Sequence, residues 1–310
     1  MAKGDTFPEF MRNVGQFPNL VVHRKNSVEG SKDFADKSLD MVFIDAGHMY
    51  HEVMEDIKCW LPKCKKLLCG HDYQWSGVAD AVNEVFGRPD GVVGTIWWVD
   101  LTKRDDIDKL ILKLLNNQNF TFVKLGDGEA GCMEHQEGAN CDGVVYTPSL
   151  AVQLAESFDY FSEQKNTHIV YFGNQKSYNQ LLHRTDSNLT KVKHFYDIIK
   201  NSPRKKFYVA PAKLAPVAKY LGCSHILCPE VIDEASAYFL GTGLVELIEK
   251  DCIVLFSAGL WAKVLIADCM RNEKNATHID VGSAFDPAIS QSRTMQVDKE
   301  TMRWLYPGLV

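Results

Sequence analysis

Short apolar runs alternate with amphipathic segments through the first hundred residues of the chain. Each run is rich in aliphatic residues and stops at a polar one, and each following segment places its apolar residues at helical spacing. The expected strands are 39–48, 65–73 and 94–101, and the expected helices are 51–61 and 77–86. This alternation is typical of a doubly wound α/β sheet, whose binding sites collect at the carboxyl ends of the strands.

The composition of the chain changes after Leu101. A charge-rich connection, TKRDDIDK at 102–109, runs into an amphipathic helix, so we place a domain boundary near residue 104. The expected strands beyond it are 120–127, 168–174, 205–211, 224–229, 251–259 and 276–282. The expected helices there are 148–161, 176–182, 189–201, 212–221, 231–249 and 260–271. The pattern predicts a second α/β unit over 105–310, long enough to bury its own core.

The charge and composition of the chain exclude several classes of protein. A 45% share of hydrophobic residues against 24% charged ones is typical of a soluble globular protein, and the formal net charge of −6 leaves no basic surface for nucleic acid. No apolar stretch reaches the length of a transmembrane segment or has the form of a leader peptide, which favours the cytoplasm. The nine scattered cysteines fit free thiols in a reducing compartment.

Polar residues with metal-binding chemistry stand at the ends of the first two expected strands. Asp45 and His48 follow the first strand, and His71 and Asp72 follow the second. Neighbouring parallel strands end at one edge of a sheet, so we expect these side chains to share that edge. A structural explanation is also open, because buried strand ends need hydrogen-bonding groups in any case.

Three segments of this first part carry a family resemblance: DTFPEFMRNVG, NSVEGSKDFADKSLDMVFIDAGHMYHEVMEDIKCWLPKCKKLLCGHDY and GVADAVNEVFG. They resemble the latter half of a class I S-adenosylmethionine-dependent O-methyltransferase of the macrocin type. The resemblance implies Mg²⁺ on Asp45 and Asp72 near the acceptor hydroxyls, with His48 as a general base. Such a cation lowers the pKa of a sugar hydroxyl, and a nearby imidazole can take its proton.

The cofactor-binding front of that family has no counterpart here, since no glycine-rich turn precedes Asp5. We therefore expect residues 1–104 to form a partial methyltransferase-like domain, an incomplete doubly wound sheet. We do not expect this chain alone to use S-adenosylmethionine. Two alternatives stay open, namely that another chain supplies the missing half and that the segment is a remnant that folds without binding the methyl donor.

The segment TFVKLGDGEAG at 121–131 ends a strand-like run with two carboxylates, Asp127 and Glu129. One explanation of this Asp-Gly-Glu triplet is a polar turn, and the other is a divalent-cation site. Gly126 and Gly128 leave space for a close approach of the backbone and for conformations that other residues resist.

The stretch LFSAGLWAKVLIADCM at 255–270 has a strand, a small-residue turn and a helix in succession. Backbone amides at the start of such a helix can receive a phosphate group. Ser257 and Gly259 would lie at that turn, although the same residues also make an ordinary tight turn.

These two motifs, with GANCDG and with HIDVGSAFDP at 278–287, resemble the GT-D glycosyltransferases. That class is Rossmann-like, and its mark is an Asp-x-Glu triplet at the end of an early strand. The resemblance covers most of 107–290 and implies a GT-D-like three-layer sandwich that uses a nucleotide-diphosphate sugar. It also implies Mn²⁺ or Mg²⁺ held by Asp127 and Glu129, since a hard divalent cation takes oxygen ligands and bridges a diphosphate.

The resemblance further implies a set of nucleotide-binding residues and leaves the catalytic base open. The nucleotide-binding candidates are Gly126, Asp127, Asn140, Asp142, Ser257 and Gly259. The candidate bases by position are Asp286, Asp280 and His278. The chain departs from the Gly-His-x-Asp-x-Glu segment of better-known members, because Gly282 is followed by Ser283. Turn chemistry is the alternative for Asn140, Asp142 and Asp286, and a core histidine is the alternative for His278.

We conclude from the sequence that the chain is a two-domain α/β enzyme. Residues 105–310 are predicted to transfer a sugar from a nucleotide-diphosphate donor to a glycan or glycoconjugate, with a metal ion. The alternatives are an S-adenosylmethionine-dependent sugar O-methyltransferase and a non-catalytic subunit of a glycan-synthesis complex. The expected partners are the nucleotide sugar and the glycan acceptor, and a second copy of the chain or a partner glycan-synthesis enzyme stays open.

Overall fold

The computed structural model describes most of the chain, namely residues 6–104, 106–135, 138–139, 144–171, 189–282, 284–289 and 299–309. The chain divides into two units, Met1–Lys103 and Arg104–Val310. Over the described ranges, no helix has both the length and the apolar character that crossing a membrane requires. The cysteines in these ranges are free thiols, as expected.

The first unit is built around a four-stranded sheet. Its strands are β1 (Leu39–Ile44), β2 (Cys64–Gly70), β3 (Gly91–Val93) and β4 (Ile96–Asp100). Its helices are α1 (Phe7–Val14), α2 (Ser27–Ser31), α3 (Tyr50–Trp60) and α4 (Ser76–Phe86), followed by a 3₁₀ turn at Leu101–Lys103. The α/β class agrees with the prediction, and β1, α3, β2, α4 and β4 occur in the predicted order, whereas α1, α2 and β3 were not predicted.

The sheet of the first unit is mixed, with the spatial order β1, β2, β4, β3. Strands β1 and β2 are parallel and joined through α3, whereas β4 is antiparallel to both β2 and β3. A two-residue connection links β3 to β4, and such a short connection allows only an antiparallel pair. The strand expected at 94–101 is therefore the second arm of a hairpin and closes the sheet in the antiparallel sense.

The paired register of β1 and β2 brings their carboxyl ends level. Ile44 lies opposite Gly70, and the amide of His71 donates to the carbonyl of Ile44 over 3.1 Å. A Cβ on Gly70 would stand 2.5 Å from that carbonyl oxygen, so only glycine fits this close approach. The residues that follow both strands therefore share one edge of the sheet.

The second unit contains most of the chain. Its strands are β5 (Thr121–Leu125), β6 (Gly138–Ala139), β7 (Val145–Tyr146), β8 (Thr167–Tyr171), β9 (Lys206–Ala210), β10 (Ser224–Leu227), β11 (Ile253–Phe256) and β12 (Thr277–Asp280). Its helices are α5 (Asp106–Leu115), α6 (Asp127–His135), α7 (Pro148–Glu163), α8 (Leu189–Asn201), α9 (Ala215–Leu221), α10 (Glu234–Leu247), α11 (Trp261–Arg271), α12 (Asp286–Ile289) and α13 (Lys299–Leu305), with a 3₁₀ turn at Ala212–Leu214. The helix expected at 176–182 lies outside the described residues.

Six strands of the second unit form a parallel sheet in the order β10, β9, β11, β12, β5, β8. One apolar core lies between the sheet and helices α5, α8, α9 and α13. A second core lies on the opposite face, under α7, α10 and α11. The unit is therefore a three-layer α/β/α sandwich, as predicted.

The strand β11 shows why the sequence predicts parallel strands so clearly here. All four residues of Ile253–Phe256 are fully buried, because helices cover both faces of a parallel sheet. Alternation along the strand still decides which core each residue joins, so Leu255 belongs to one apolar cluster and Val254 to the other. The same alternation sets the face from which each polar side chain reaches the carboxyl edge.

Candidate functional site

The carboxyl ends of β5, β11 and β12 lie side by side in the second unit. Phe256 pairs with Asp280, and Ile279 pairs with Phe122, so β11, β12 and β5 end at nearly the same level. Charged side chains converge at this edge, and it is the edge at which parallel α/β sheets place their ligands.

Glu129 of the Asp-Gly-Glu triplet lies in the first turn of α6. One carboxylate oxygen, Oε2, accepts the backbone N–H of Gly126 over 2.9 Å, which satisfies a donor that the start of the helix leaves unpaired. The other oxygen, Oε1, is in direct contact with the ammonium of Lys263. The triplet therefore begins a helix and contributes a carboxylate that is 7% exposed to a buried ion pair.

Lys263 joins two carboxylates from different elements. Its Nζ lies 2.9 Å from Oδ2 of Asp280 in addition to its contact with Glu129. Asp280 also accepts two backbone amides, from Lys124 at 3.3 Å and from Gly282 at 3.1 Å. Lys263 is 4% exposed and Asp280 is fully buried, so these charges face one another in the absence of bulk water.

The pKa values of this cluster follow from burial and from opposite charges. Burial would lower the pKa of Lys263, but the carboxylates of Asp280 and Glu129 outweigh it and hold that pKa above its usual value. Burial would raise the pKa of Asp280, but Lys263 and then Lys124 hold it below its usual value. At neutral pH the lysine and the aspartate are both charged.

Lys124 reaches the same edge from the other face of the sheet. Its neighbour Phe122 belongs to the α5 and α8 core, and alternation along β5 puts Lys124 on that face. The side chain is 6% exposed, and burial lowers the pKa of Lys124 although Asp280 opposes the shift. In the described part of the chain its ammonium makes no ion pair or hydrogen bond.

The turn after β11 is held by hydroxyl groups. The hydroxyl of Ser257 donates to the carbonyl of Gly282 over 2.6 Å and lies 2.8 Å from the hydroxyl of Tyr208. Burial raises the pKa of Tyr208, so that hydroxyl stays protonated. Gly259 has a φ of +57°, which favours glycine. Both predicted nucleotide-binding residues, Ser257 and Gly259, lie at the expected edge, and the Ser257 hydroxyl joins two neighbouring elements.

The three candidate bases occupy different environments. Asp280 is ion-paired and holds a lowered pKa, which makes it a weak proton acceptor. His278 is 1% exposed, and burial lowers its pKa to about 4. Asp286 begins α12 and is half-buried, and burial raises its pKa although Lys213 opposes the shift. A base must hold a pKa near the working pH, so Asp286 suits proton transfer best of the three.

His278 also faces the opposite edge of the sheet. It lines a cavity of about 590 Å³ with residues that precede or begin strands, among them Thr121, Asn166 and Asn275. Its Nδ1 lies 3.5 Å from the hydroxyl of Thr121, and its buried Nε2 has no hydrogen-bond partner in the described structure. This position agrees with the alternative of a core histidine.

Three further predicted residues cannot be placed in full. Asn140 and Asp142 lie outside the described residues, and so does the side chain of Asp127, whose backbone begins α6. Their proposed contacts with the nucleotide and the metal ion therefore stay predictions.

The described side chains at this edge do not form a divalent-cation site. Both oxygens of Glu129 are engaged, and the ammonium that contacts it also contacts Asp280. A divalent cation on Glu129 would have to displace Lys263 or lie against its positive charge. Metal binding at Asp127 and Glu129 stays a prediction from the resemblance.

The first unit does bring predicted metal ligands together. Ligand atoms of Asp45, His71 and Asp72 all lie within 4.8 Å of one another at the carboxyl edge of β1 and β2. Asp72 has a φ of +59°, and its carboxylate lies 2.7 Å from Nε2 of His48 and 3.0 Å from Nδ1 of His71. Nε2 of His71 is 2.6 Å from the hydroxyl of Thr95.

This arrangement fits a divalent cation, because carboxylate oxygens and one imidazole nitrogen are ordinary ligands for such ions. Burial would raise the pKa of Asp72, but hydrogen bonds from His71, Gln74 and His48 hold it below its usual value, so its carboxylate is ionised. The structure puts His71 in the ligand group, whereas the sequence prediction named Asp45 and Asp72 with His48. His48 contacts the group through Asp72.

Two buried lysines at this edge of the second unit, Lys263 and Lys124, escaped the sequence prediction. Each interrupts an otherwise apolar stretch, LWAKVLIA in α11 and FVKL in β5. A lysine within a buried stretch needs a partner or a ligand, so this interruption was the available signal.

Comparison with known proteins gives one family match and two structural neighbours. A family described as "Methyltransferase domain" matches residues 3–73. One solved structure, described as showing that the highly conserved domain of unknown function 1792 has a distinct glycosyltransferase fold, is 14% identical, with a TM-score of 0.41 over 62% of this chain and 84% of that one. A selenomethionine-substituted structure of the same domain is 15% identical, with a TM-score of 0.39 and the same coverage. No curated protein matches the chain.

The family match confirms the methyltransferase resemblance at the amino-terminal end of the chain.

Replacement of Lys263 by Met should destabilise the second unit. The change leaves Glu129 and Asp280 buried without their counter-ion, and breaking a buried ion pair in this way costs about 3–5 kcal/mol. Urea denaturation of the full chain measures the loss. The triple variant with Glu129→Gln and Asp280→Asn should recover part of it, and an unchanged unfolding midpoint in Lys263→Met would contradict the assigned ion pairs.

His278 should make the protein less stable as the pH falls from 6.5 to 4. In that range the unfolded chain binds a proton that the buried imidazole excludes, so the free energy of unfolding drops by about 3 kcal/mol. Urea denaturation at pH 7 and pH 4 tests this in wild type, in His278→Phe and in the exposed control His135→Gln. The drop should shrink in His278→Phe alone, and an equal drop in all three proteins would rule out the assignment.

Proposed function

We propose that the unit Arg104–Val310 transfers a sugar from a nucleoside-diphosphate sugar to a hydroxyl of a glycan or glycoconjugate. The observation that carries the proposal is the position of the triplet carboxylate Glu129, which contacts Lys263, itself paired with Asp280, at the carboxyl edge of the central parallel strands. A ligand of a doubly wound sheet binds at that edge, and the resemblance of the same residues to GT-D enzymes supplies the substrate class.

In the proposed reaction the acceptor oxygen forms a bond to the anomeric carbon of the sugar. The bond from that carbon to the donor phosphate oxygen breaks, and the nucleoside diphosphate leaves with the electron pair. Asp286 takes the proton of the acceptor hydroxyl, because its raised pKa and half-buried position suit a general base. Lys263 keeps Glu129 and Asp280 in fixed positions at the edge of the site.

Negative charge grows on the leaving diphosphate during this transfer, and fixed cationic groups stabilise it best where water is excluded. The resemblance adds Mn²⁺ or Mg²⁺ at Asp127 and Glu129 as a separate expectation. Bound there, the cation would neutralise the same charge.

The direct test is release of free nucleotide by the purified full chain. Wild type is incubated with a panel of nucleoside-diphosphate sugars and a glycan acceptor mixture, with Mn²⁺, with Mg²⁺ and with a chelator. Release from one donor supports transfer and names the sugar, and its loss with chelator supports the metal. Nucleotide binding without release favours the non-catalytic subunit, and neither binding nor release would refute the proposal.

Glu129→Gln should lower this turnover by about 100-fold, a loss typical for one electrostatic group of an active site. Glutamine can still accept the amide of Gly126, so α6 should begin as before, while the ion pair with Lys263 is lost. The matched control is Glu134→Gln, an exposed residue of the same helix, which should keep full activity. Full activity of Glu129→Gln with an unaltered circular dichroism spectrum would reject the site.

We propose a second function for the first unit, a divalent-cation site for methyl transfer to a sugar hydroxyl, with another chain supplying the half that binds S-adenosylmethionine. The observation that favours it is the group Asp45, His71 and Asp72 within a methyltransferase-domain match. A cation there would lower the pKa of an acceptor hydroxyl. His48, which is hydrogen-bonded to Asp72, could then hold the released proton.

Asp72→Asn should weaken Mn²⁺ binding at this site by at least about tenfold, because one charged ligand is lost and His71 and His48 lose their acceptor. Isothermal titration of Mn²⁺ into wild type and Asp72→Asn measures the change, with the exposed Asp80→Asn of α4 as the control. Equal affinities in all three proteins would remove the cation from this edge. Release of S-adenosylhomocysteine, followed in parallel, tests the methyl transfer itself.

A further inference from the structure

Lys124 places a positive charge at the carboxyl edge of β5, and among the described residues no carboxylate contacts its ammonium. Lys263 takes both Glu129 and Asp280 at ion-pair distance. Asp280 meets Lys124 through the backbone amide, not through the ammonium. The two carboxylates of the buried cluster are thus satisfied from the face of α11, and the Lys124 ammonium arrives from the other face of the sheet.

The space in front of this ammonium is kept open by glycine. Gly282, directly beyond β12, has a φ of +50°, and a Cβ built there would stand 2.7 Å from Nζ of Lys124. A side chain at this position would therefore make the lysine tip move, in addition to straining a backbone conformation that favours glycine.

A nearly buried ammonium without a direct partner is costly, because the charge has lost most of its water. Burial lowers the pKa of Lys124, the carboxylates of Asp280, Glu129 and Asp286 oppose that shift, and the positive Lys263 offsets part of their attraction. An anion that enters at this edge would supply the missing contact. A lysine ammonium is a compact point charge with three donors, and it is well suited to a phosphate oxygen.

We propose that the ammonium of Lys124 binds a phosphate oxygen of the nucleoside-diphosphate donor, at the edge formed by the ends of β5 and β12. This assignment rests on the proposed sugar transfer and adds to it the residue that receives the diphosphate. Lys263 then fixes the carboxylates of the site, while Lys124 meets the ligand and stabilises the charge that develops on the leaving group.

The test uses inorganic pyrophosphate and UDP as probes, titrated calorimetrically into the full chain. Lys124→Met keeps the length of the side chain and removes its charge, and Lys124→Arg keeps the charge. The control is Lys113→Met. Lys113 lies on α5 and is partly buried, and its ammonium is 6.0 Å from the ring centre of Phe120, the residue directly before β5. We expect pyrophosphate affinity to fall at least tenfold in Lys124→Met, to recover largely in Lys124→Arg and to stay unchanged in Lys113→Met.

A second variant tests the site without removing the charge. Gly282→Ala places a methyl group 2.7 Å from the present position of the amine and makes the amine move, so it should also weaken pyrophosphate binding while the chain keeps both lysines. Thermal melting of every variant shows whether the fold is retained. If Lys124→Met does not fold, pyrophosphate binding by Gly282→Ala decides whether Lys124 binds the anion.

The outcomes separate this inference from the proposed transfer. If wild type and Lys124→Met bind pyrophosphate equally, or if wild type binds none, the Lys124 site is wrong, and sugar transfer is judged by nucleotide release alone. If pyrophosphate binding depends on Lys124 but no nucleotide sugar is turned over, the anion site stands and the transfer proposal fails.

Discussion

The contact of one buried lysine with two carboxylates organises the larger unit of this protein. Lys263 on α11 holds Glu129 on α6 and Asp280 at the end of β12, so a single ammonium connects two helices and a central strand. Three charges with almost no access to water are tolerable only while they stay together, because any one of them alone would be buried without compensation. The positions of the backbone turns after β5 and β12 depend on this arrangement, since both carboxylates also accept turn amides.

The two units of the chain use the same constraint in different ways. In each, parallel strands in register end at one level, and the residues that follow the strands are brought together whatever their distance along the chain. In the first unit this collects Asp45, His71 and Asp72, an arrangement with oxygen and nitrogen ligands for a cation. In the second it collects the carboxylates of Glu129 and Asp280 around the ammonium of Lys263.

Burial shifts the pKa values of two residues that lie close in sequence in opposite directions. His278 and Asp286 are both candidate bases, yet burial lowers the pKa of the first to about 4 and raises the pKa of the second. Loss of water favours the neutral form of either group. The buried histidine therefore stays unprotonated, and the pKa of the aspartate rises toward neutral pH. His278 faces the cavity at the amino edge, whereas Asp286 follows the carboxyl edge, so position and pKa favour the same residue.

The sequence by itself determined the longer strands and helices, the α/β class and the strand-end acids, because apolar periodicity and glycine-rich turns are local signals. It did not predict short elements such as α1, α2, β3, β6 and β7. Asp45, Asp72 and Glu129 were found at the edges where the structure has them. The partners of these acids were decided by tertiary structure alone. Lys263 lies far from Glu129 along the chain, and only strand register and the packing of α11 bring them into contact. Tertiary structure also decided the antiparallel position of β4 and the separate roles of Lys263 and Lys124. Strand pairing and depth of burial are properties of the folded sheet, and no single segment of the sequence specifies them.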